Sequence, residues 1–215
     1  MYVISHFIPT SSSKRQKYNK SHCYSSKNTD ICILDKLKME KVGIFCSASE
    51  SILPVYFEKA QELGQWLGEQ RMTLVYGGAN LGIMECVASA AKQSGALIMG
   101  VVPTKLEERG AVSDLLDVTF RTDNLSDRKD ILLQESDILI ALPGGVGTLD
   151  EVFHVMASAS IGYHAKKVIF YNIDGFWQPL LDFMEGLKLQ HFARLSWENL
   201  YCVANNFEEL KKQLK

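Results

Sequence analysis

From residue 41 onward, short apolar runs alternate with longer segments in which apolar residues recur at helical spacing. The short runs have the length and composition of buried strands and cover residues 42–46, 72–76, 97–102, 117–121, 137–142 and 167–171. The longer segments predict helices over residues 54–70, 83–94, 125–135, 149–160, 176–189 and 206–214. Strands that alternate with helices in this way are typical of a parallel sheet covered on both faces.

Residues at the segment boundaries support this assignment. Pro54 stands where the first helix begins, a position that suits proline, and Gly95 stands where the second helix ends. The segment 39–215 is therefore predicted to form a single α/β domain with a Rossmann-like, doubly wound, mostly parallel sheet. In such folds ligands bind at the carboxyl ends of the strands.

Residues 1–38 differ from the rest of the chain. Serine, lysine and arginine mingle there without hydrophobic periodicity, which is typical of a disordered leader. A second interpretation is that Met39 is the true initiator, because the strand at Val42 follows it almost at once. Both interpretations stay open at this point.

Composition narrows the classes of function. A chain of 215 residues that is 47% hydrophobic can bury one substantial core. The net charge of -2 gives no basic footprint for nucleic acid or an anionic membrane. The five cysteines contain no C-x-x-C pair, and the five histidines have no ligand spacing, so we predict no metal and a reducing, cytoplasmic setting. No apolar run approaches the roughly 20 residues of a membrane helix.

Three loops follow predicted strands and are rich in small residues. They are Cys46-Ser47-Ala48-Ser49, Tyr76-Gly77-Gly78-Ala79-Asn80-Leu81-Gly82 and Leu142-Pro143-Gly144-Gly145-Val146-Gly147-Thr148. Glycines let backbone N–H groups approach a phosphate at a helix N-terminus, so Ser47, Gly77 and Gly78 are candidate substrate-binding residues beside the third loop. The alternative is that these residues only turn the chain. None of the loops is a dinucleotide fingerprint or a Walker A loop.

The third loop continues as Pro143-Gly144-Gly145-Val146-Gly147-Thr148-Leu149-Asp150-Glu151. It is similar to the P-G-G-x-G-T-x-x-E signature of the Lonely Guy family, phosphoribohydrolases that are often mislabelled lysine decarboxylases. Tyr76-Gly77-Gly78 through Met84 resembles the family's Y-G-G-x-x-x-G-x-M turn, and Arg128-Lys129 stands at the place of its R-K pair. The resemblance runs from about Val42 to the last helix.

This resemblance implies a reaction and a set of site residues. It implies hydrolysis of the N-glycosidic bond of a purine nucleoside 5'-monophosphate, adenosine monophosphate (AMP) or an N6-modified relative, without a cofactor and in a homodimer. Arg128 and Glu151 are the implied catalytic residues. The implied substrate-binding residues are Lys129, Gly144, Gly145, Val146, Gly147, Thr148, Leu149 and Asp150. The chain departs from the family at Arg109-Gly110, where an R-E pair is usual.

Local sequence offers plainer roles for the two catalytic candidates. Thr148 and Glu151 have the spacing of a capping box, with Thr148 as N-cap and Glu151 at N3. Arg128 would lie in the first turn of a helix capped by Asn124, where a solvated arginine is common. His154, His164 and Cys46 are interpreted as structural.

Two other functions compete with hydrolysis. A nucleotide or phosphate-ligand carrier could use the same glycine loops, but it would not need the Arg128 and Glu151 pair. Amino-acid decarboxylation fits less well, because no lysine stands in a convincing pyridoxal-phosphate setting.

Overall fold

The structure is a computed structural model that describes residues 40–192 and 197–214. The two interpretations of residues 1–38 lie outside this part of the chain and stay predictions. Within the described residues, no helix is long and apolar enough to cross a membrane.

The described chain forms seven strands and seven α-helices. The strands are β1 (Lys41–Phe45), β2 (Thr73–Tyr76), β3 (Leu97–Pro103), β4 (Val118–Thr122), β5 (Ile138–Ala141), β6 (Val168–Tyr171) and β7 (Tyr201–Ala204). The helices are α1 (Pro54–Glu69), α2 (Gly82–Gln93), α3 (Thr104–Glu108), α4 (Leu125–Glu135), α5 (Val146–Ser160), α6 (Gln178–Leu189) and α7 (Phe207–Gln213). Short 3-10 turns cover Ile173–Gly175 and Trp197–Asn199.

All seven strands run parallel in one sheet, in the order β4-β3-β2-β1-β5-β6-β7. The chain first builds the sheet outward from β1 to β4 and then returns to add β5 on the other side of β1. The strand order therefore reverses between β1 and β5, and the loops that follow these two strands diverge there. The predicted doubly wound α/β fold is confirmed.

A separate apolar cluster covers each face of the sheet. On one face, Leu63 of α1, Val87 of α2 and Leu210 of α7 pack on strand residues such as Ile44 and Leu74. On the other face, Leu132 of α4, Val155 of α5 and Met184 of α6 pack on residues such as Phe45 and Val75. Adjacent residues of one strand face opposite clusters, which explains why the strands read as continuous apolar runs.

Boundary residues behave as the sequence predicts in three places. Pro54 begins α1, Gly95 follows α2 with a φ of 98°, and Asn124 caps α4 by accepting hydrogen bonds from the backbone of Ser126 and Asp127. These assignments are local, because each depends on a residue and its immediate neighbours.

The start of α5 corrects the sequence interpretation. The helix begins at Val146, three residues earlier than predicted, and Gly145 is its N-cap. Thr148 is therefore the third helical residue and not the N-cap, so Glu151 lies nearly two turns into the helix and no capping box forms. Glycines carry no apolar side chain, so Gly145 and Gly147 add nothing to the helical pattern. The pattern visible in the sequence therefore starts later than the helix itself.

Two elements were missed. The edge strand β7 has a short apolar run, Tyr201-Cys202-Val203-Ala204, of which only Ala204 is fully buried, and α3 has only five residues and buries none of them completely. Both lie away from the strand order reversal.

Candidate functional site

The loops that follow β1 and β5 meet at the reversal of strand order. The backbone N–H of Ser47 donates to Pro143 O over 3.1 Å, which joins the two loops directly. The Ser47 carbonyl accepts a hydrogen bond from the N–H of Ile83, at the start of α2, over 3.0 Å. The serine therefore ties together the two loops and a helix N-terminus at the place where doubly wound folds bind ligands.

The first turn of α5 presents backbone donors to this place. Gly145 caps the helix and has no side chain that could accept a hydrogen bond from the first turn. The backbone N–H groups of the first turn are therefore available to a ligand. The aligned peptide dipoles add positive potential at this end of the helix. The arrangement suits an anion such as a phosphate.

Glycines of the third loop have two different surroundings. A Cβ on Gly144 would lie within 3.0 Å of Thr148 Oγ1, so the absence of a side chain at Gly144 lets Thr148 fold back over the loop. Gly145 and Gly147 face open space, where an added Cβ meets no atom within 4 Å. Internal packing therefore does not account for these two glycines, and the space beside them is free for a ligand.

Arg128 reaches the site from the first turn of α4. Its Nε donates to Val101 O of β3 over 3.0 Å, and its Nη2 donates to Gly77 O, just after β2, over 3.3 Å. Its Nη1 donates to Glu151 Oε1 of α5 over 3.0 Å. Because the side chain is only 14% exposed, these bonds hold the guanidinium in one orientation.

Glu151 is a buried carboxyl group, 5% exposed, on the inner side of α5. Burial raises its pKa from 4.5 to about 7, against the opposing effect of the Arg128 guanidinium, while Asp150 raises it further. A carboxyl group that titrates near neutrality can accept a proton from water and return it, which is the property required of a general base.

A cleft of about 260 Å³ contains both charged groups. It is lined by Cys46, Ser47, Ala48, Met84, Arg128, Gly145, Gly147, Thr148 and Glu151. A second cavity of about 280 Å³ shares Ser47 and Gly145 with it, and its other walls are largely apolar: Ile52, Tyr56, Pro143, Gly144 and Phe176. Burial raises the pKa of the Cys46 thiol well above its ordinary value, so this thiol stays neutral in the cleft.

One further ion pair and one histidine–carboxylate contact join α4 to α5 beside the cleft. Lys129 Nζ lies 2.7 Å from Asp150 Oδ1, and His154 Nε2 lies 3.0 Å from Asp130 Oδ1. Lys129 is only 16% exposed, whereas Asp150 is half exposed. Three consecutive residues of α4 thus contact three residues of α5, and the Arg128–Glu151 pair is the most buried of the three.

The structure brings together six of the predicted site residues as cleft walls: Ser47, Arg128, Gly145, Gly147, Thr148 and Glu151. Gly144 lines the adjoining cavity. The other predicted residues do not line either cavity. Val146 is 85% exposed, Leu149 packs against the core, Lys129 and Asp150 pair with each other, and Gly77 and Gly78 lie behind Arg128 and against Val102.

Sequence reasoning missed the apolar walls of the second cavity. Tyr56 lies in the first turn of α1, and Phe176 lies beyond β6, with ring centroids 5.7 Å apart. Each follows a strand by several residues, so no spacing rule connects them. The available signal was that both lie shortly after the carboxyl end of a strand, at the ligand-binding edge of the sheet.

The fold and the site define a doubly wound α/β protein with a buried arginine–glutamate pair at the reversal of strand order. A family model described as "Possible lysine decarboxylase" matches residues 84–214. A cytokinin riboside 5'-monophosphate phosphoribohydrolase of Arabidopsis thaliana is 33% identical over 180 residues, or 84% of this chain and 83% of its own. A probable enzyme of the same name from Oryza sativa subsp. japonica is 34% identical over 178 residues, or 83% and 78%.

The chain therefore belongs to the Lonely Guy family, as its motifs predicted. Among solved structures, the molybdenum cofactor carrier protein of Chlamydomonas reinhardtii superposes with a TM-score of 0.63 at 22% identity, over 82% of this chain and 96% of its own. The molybdenum cofactor binding protein of Rippkaea orientalis gives 0.62 at 23% identity, over 83% and 96%. At this identity the likeness to both structures shows the fold.

Proposed function

We propose that this protein hydrolyses the N-glycosidic bond of a purine nucleoside 5'-monophosphate and releases the free base and ribose 5-phosphate. The observation that carries the proposal is the buried Arg128–Glu151 pair, which faces an open, glycine-lined helix N-terminus in one cleft. The phosphoribohydrolase names of the relatives support the same reaction.

The 5'-phosphate binds at the N-terminus of α5. The space beside Gly145 and Gly147 admits it, and the first-turn N–H groups donate to its oxygens. Ser47 and Thr148 add hydroxyl groups in the same cleft. Because the phosphate lies away from the bond that breaks, its binding energy positions the sugar.

Glu151 acts at the sugar. As the bond between C1' and the purine nitrogen breaks, positive charge develops on the ribose, and the carboxylate stabilises it. A water molecule attacks C1' and its proton passes to Glu151, while the electron pair of the broken bond leaves on the base nitrogen. The base nitrogen takes up one proton from solvent, and Glu151 returns one proton to solvent. The sum is one nucleotide and one water converted to base and ribose 5-phosphate.

Arg128 contacts both Glu151 and the substrate. One of its nitrogens pairs with Glu151, and further N–H donors of the guanidinium remain for phosphate or ribose oxygens. Its positive charge also opposes the effect of burial on the Glu151 pKa, so a useful fraction of the carboxylate stays ionised at neutral pH.

The base is adenine or an N6-modified adenine. The relatives named above act on cytokinin riboside 5'-monophosphates. In this chain Gly110 stands where the family commonly has a glutamate, so contacts with the base differ from those of members that carry it.

A carrier of phosphate ligands would need the open glycines but not a charged pair. Arg128 and Glu151 are both nearly buried, and burying two charges is costly. This cost favours an enzyme, in which the pair acts on the substrate.

Incubation with AMP tests the proposal. We expect adenine and ribose 5-phosphate to appear in equal amounts by chromatography, and the same preparation carrying Glu151→Gln to release neither at a comparable rate. Tight AMP binding without any base release would instead indicate a carrier.

We further propose a cytoplasmic homodimer. Its support is an apolar strip on the outer side of α5 and just beyond it, where Val146, Phe153, Ile161 and Tyr163 are 37–85% exposed. Light scattering at micromolar concentration is expected to give twice the monomer mass of 24.1 kDa. A monomer mass would contradict the proposal.

A further inference from the structure

Gly77 touches the catalytic arginine although it does not line the cleft. Its carbonyl accepts the hydrogen bond from Arg128 Nη2. A Cβ built on Gly77 would lie within 3.0 Å of the same nitrogen, a separation that real Cβ contacts do not show. The next nearest atoms, Arg128 Cζ and Met84 Cε, would both lie 3.4 Å away.

We propose that Gly77 is a positioning residue for Arg128: its carbonyl binds the guanidinium, and its missing side chain leaves the space that the guanidinium occupies. This inference rests on the proposed function, because it assigns Gly77 an effect on catalysis through Arg128 rather than a contact with the phosphate.

The backbone at Gly77 does not itself require glycine. Gly77 is not among the described residues with positive φ, so its φ gives no reason for glycine at this position. The only severe conflict is with the tip of a long side chain, which can rotate away. An alanine at this position therefore leaves the fold intact and displaces the guanidinium from Gly77 O.

The adjacent glycine has a different function. Gly78 has a φ of 75°, and a Cβ there would lie 2.6 Å from Val102 Cγ2 of β3. Both its conformation and its packing require glycine, so Gly78 supports the sheet. Two neighbouring glycines of one motif thus serve the arginine and the fold respectively.

Displacing the guanidinium has two consequences. Catalytic groups must be held within fractions of an ångström, and a shift of about 1 Å can cost about 10²-fold in rate. The Glu151 carboxylate also loses a charged hydrogen-bond partner, leaving Lys129 as its remaining nearby cation and Asp150 as an opposing charge.

The kinetic test is a double-mutant cycle between Gly77→Ala and Arg128→Ala. We expect Gly77→Ala to lower kcat at least about tenfold and shift the melting temperature little. In the Arg128→Ala background, where the conflicting atom is absent, the same change should alter kcat less than about threefold. Gly186→Ala, on α6 with open space around it, is the matched control.

A second readout does not depend on turnover. NMR titration of the Glu151 carboxyl carbon should show a higher pKa in Gly77→Ala than in wild type or Gly186→Ala, because the guanidinium no longer stabilises the carboxylate. If AMP is not hydrolysed at all, the proposed function fails but this titration still tests the positioning.

Two results would overturn the inference. One is an unchanged Glu151 titration in Gly77→Ala. The other is a loss of kcat that is equally large with and without Arg128, which would place the effect of Gly77 elsewhere.

Discussion

The two glycine-rich loops of this protein look alike in sequence and differ in structure. Around Gly77 and Gly78, every added Cβ would collide with the protein itself, with Arg128 in one case and Val102 in the other. Around Gly145 and Gly147, an added Cβ would meet nothing. Gly77 and Gly78 are glycines because the protein packs closely around them, whereas Gly145 and Gly147 leave space for something else.

The difference shows that glycines after a parallel strand are not sufficient to indicate a ligand. Both loops lie at the carboxyl edge of the sheet, but only the second begins a helix at the reversal of strand order, beside a buried carboxyl group. A binding loop is recognised by unfilled space together with donors and a reactive group.

The largest effect should come from the reactive group beside the open loop. Glu151→Gln keeps the shape of the side chain but removes its charge, so we expect kcat to fall at least about 10²-fold. Nucleotide affinity should change little, because the phosphate contacts lie at Gly145 and Gly147. Steady-state kinetics and calorimetric binding on one preparation measure both, and a kcat within threefold of wild type would remove Glu151 from the mechanism.

The open space itself can be filled. Gly145→Leu places an apolar side chain where the phosphate is proposed to bind, and we expect the KM for AMP to rise at least about tenfold, the equivalent of one lost charge-assisted hydrogen bond. Thermal unfolding should change only by the loss of a favourable N-cap residue, about 1 kcal/mol, since the added atoms point into a cavity. An unaltered KM would place the phosphate elsewhere.

The pH dependence sharpens the role of the buried carboxyl group. Because the pKa of Glu151 is raised to about 7, the ionised form required of a base is lost as the pH falls below neutrality. We expect kcat/KM to be near half its maximum at about pH 7 and to fall about tenfold per unit well below it, because kcat/KM reports the titration of the free enzyme. A profile flat down to pH 5 would contradict this assignment.

The raised pKa of Glu151 also affects the stability of the fold, which should fall as the pH rises, whereas activity should fall as the pH drops. A carboxyl pKa raised above the unfolded value of 4.5 contributes stability that is fully present below pH 4.5 and is lost as the pH rises through about 7. Glu151→Gln removes this titration. The unfolding free energies of wild type and Glu151→Gln should therefore differ more at pH 8 than at pH 4.5.

The smallest expected effects are changes in unfolding free energy that distinguish the two glycine-rich loops. Gly78→Ala places a side chain at positive φ and against Val102, which we expect to cost about 1–3 kcal/mol of unfolding free energy. Gly147→Ala should cost less than about 0.5 kcal/mol, because Gly147 lies in the first turn of α5 and an added Cβ meets open space. Denaturant unfolding of the two variants compares them directly, and equal losses would refute the distinction between the loops.

Much of the fold follows from local pattern. Alternating strands and helices, the proline that begins α1, and the Asn124 cap of α4 all depend on a few neighbouring residues, and they agree with the structure. The start of α5 does not, because Gly145 and Gly147 give no apolar signal and Thr148 has the residue type of a cap. The edge strand β7 was also missed: its four residues are apolar, but the run is short and stands shortly before the last helix.

The functional site, like the fold, could be predicted from the sequence only in part. The motifs predicted Arg128 and Glu151 as a pair, and the sheet order places them 3.0 Å apart. The support of Arg128 by Val101 and Gly77 could not be read from the sequence, because it depends on backbone carbonyls of strands that are distant along the chain. The pairing of Tyr56 with Phe176 was hidden for the same reason.

The central claim is that the open end of α5 receives the phosphate of a nucleotide whose glycosidic bond is then hydrolysed. Comparing kcat/KM for AMP and adenosine on one wild-type preparation tests it most directly. The account predicts that adenosine is at least about 10²-fold poorer, because two or more charge-assisted hydrogen bonds to the phosphate are missing. Equal kcat/KM values for the two compounds would contradict it.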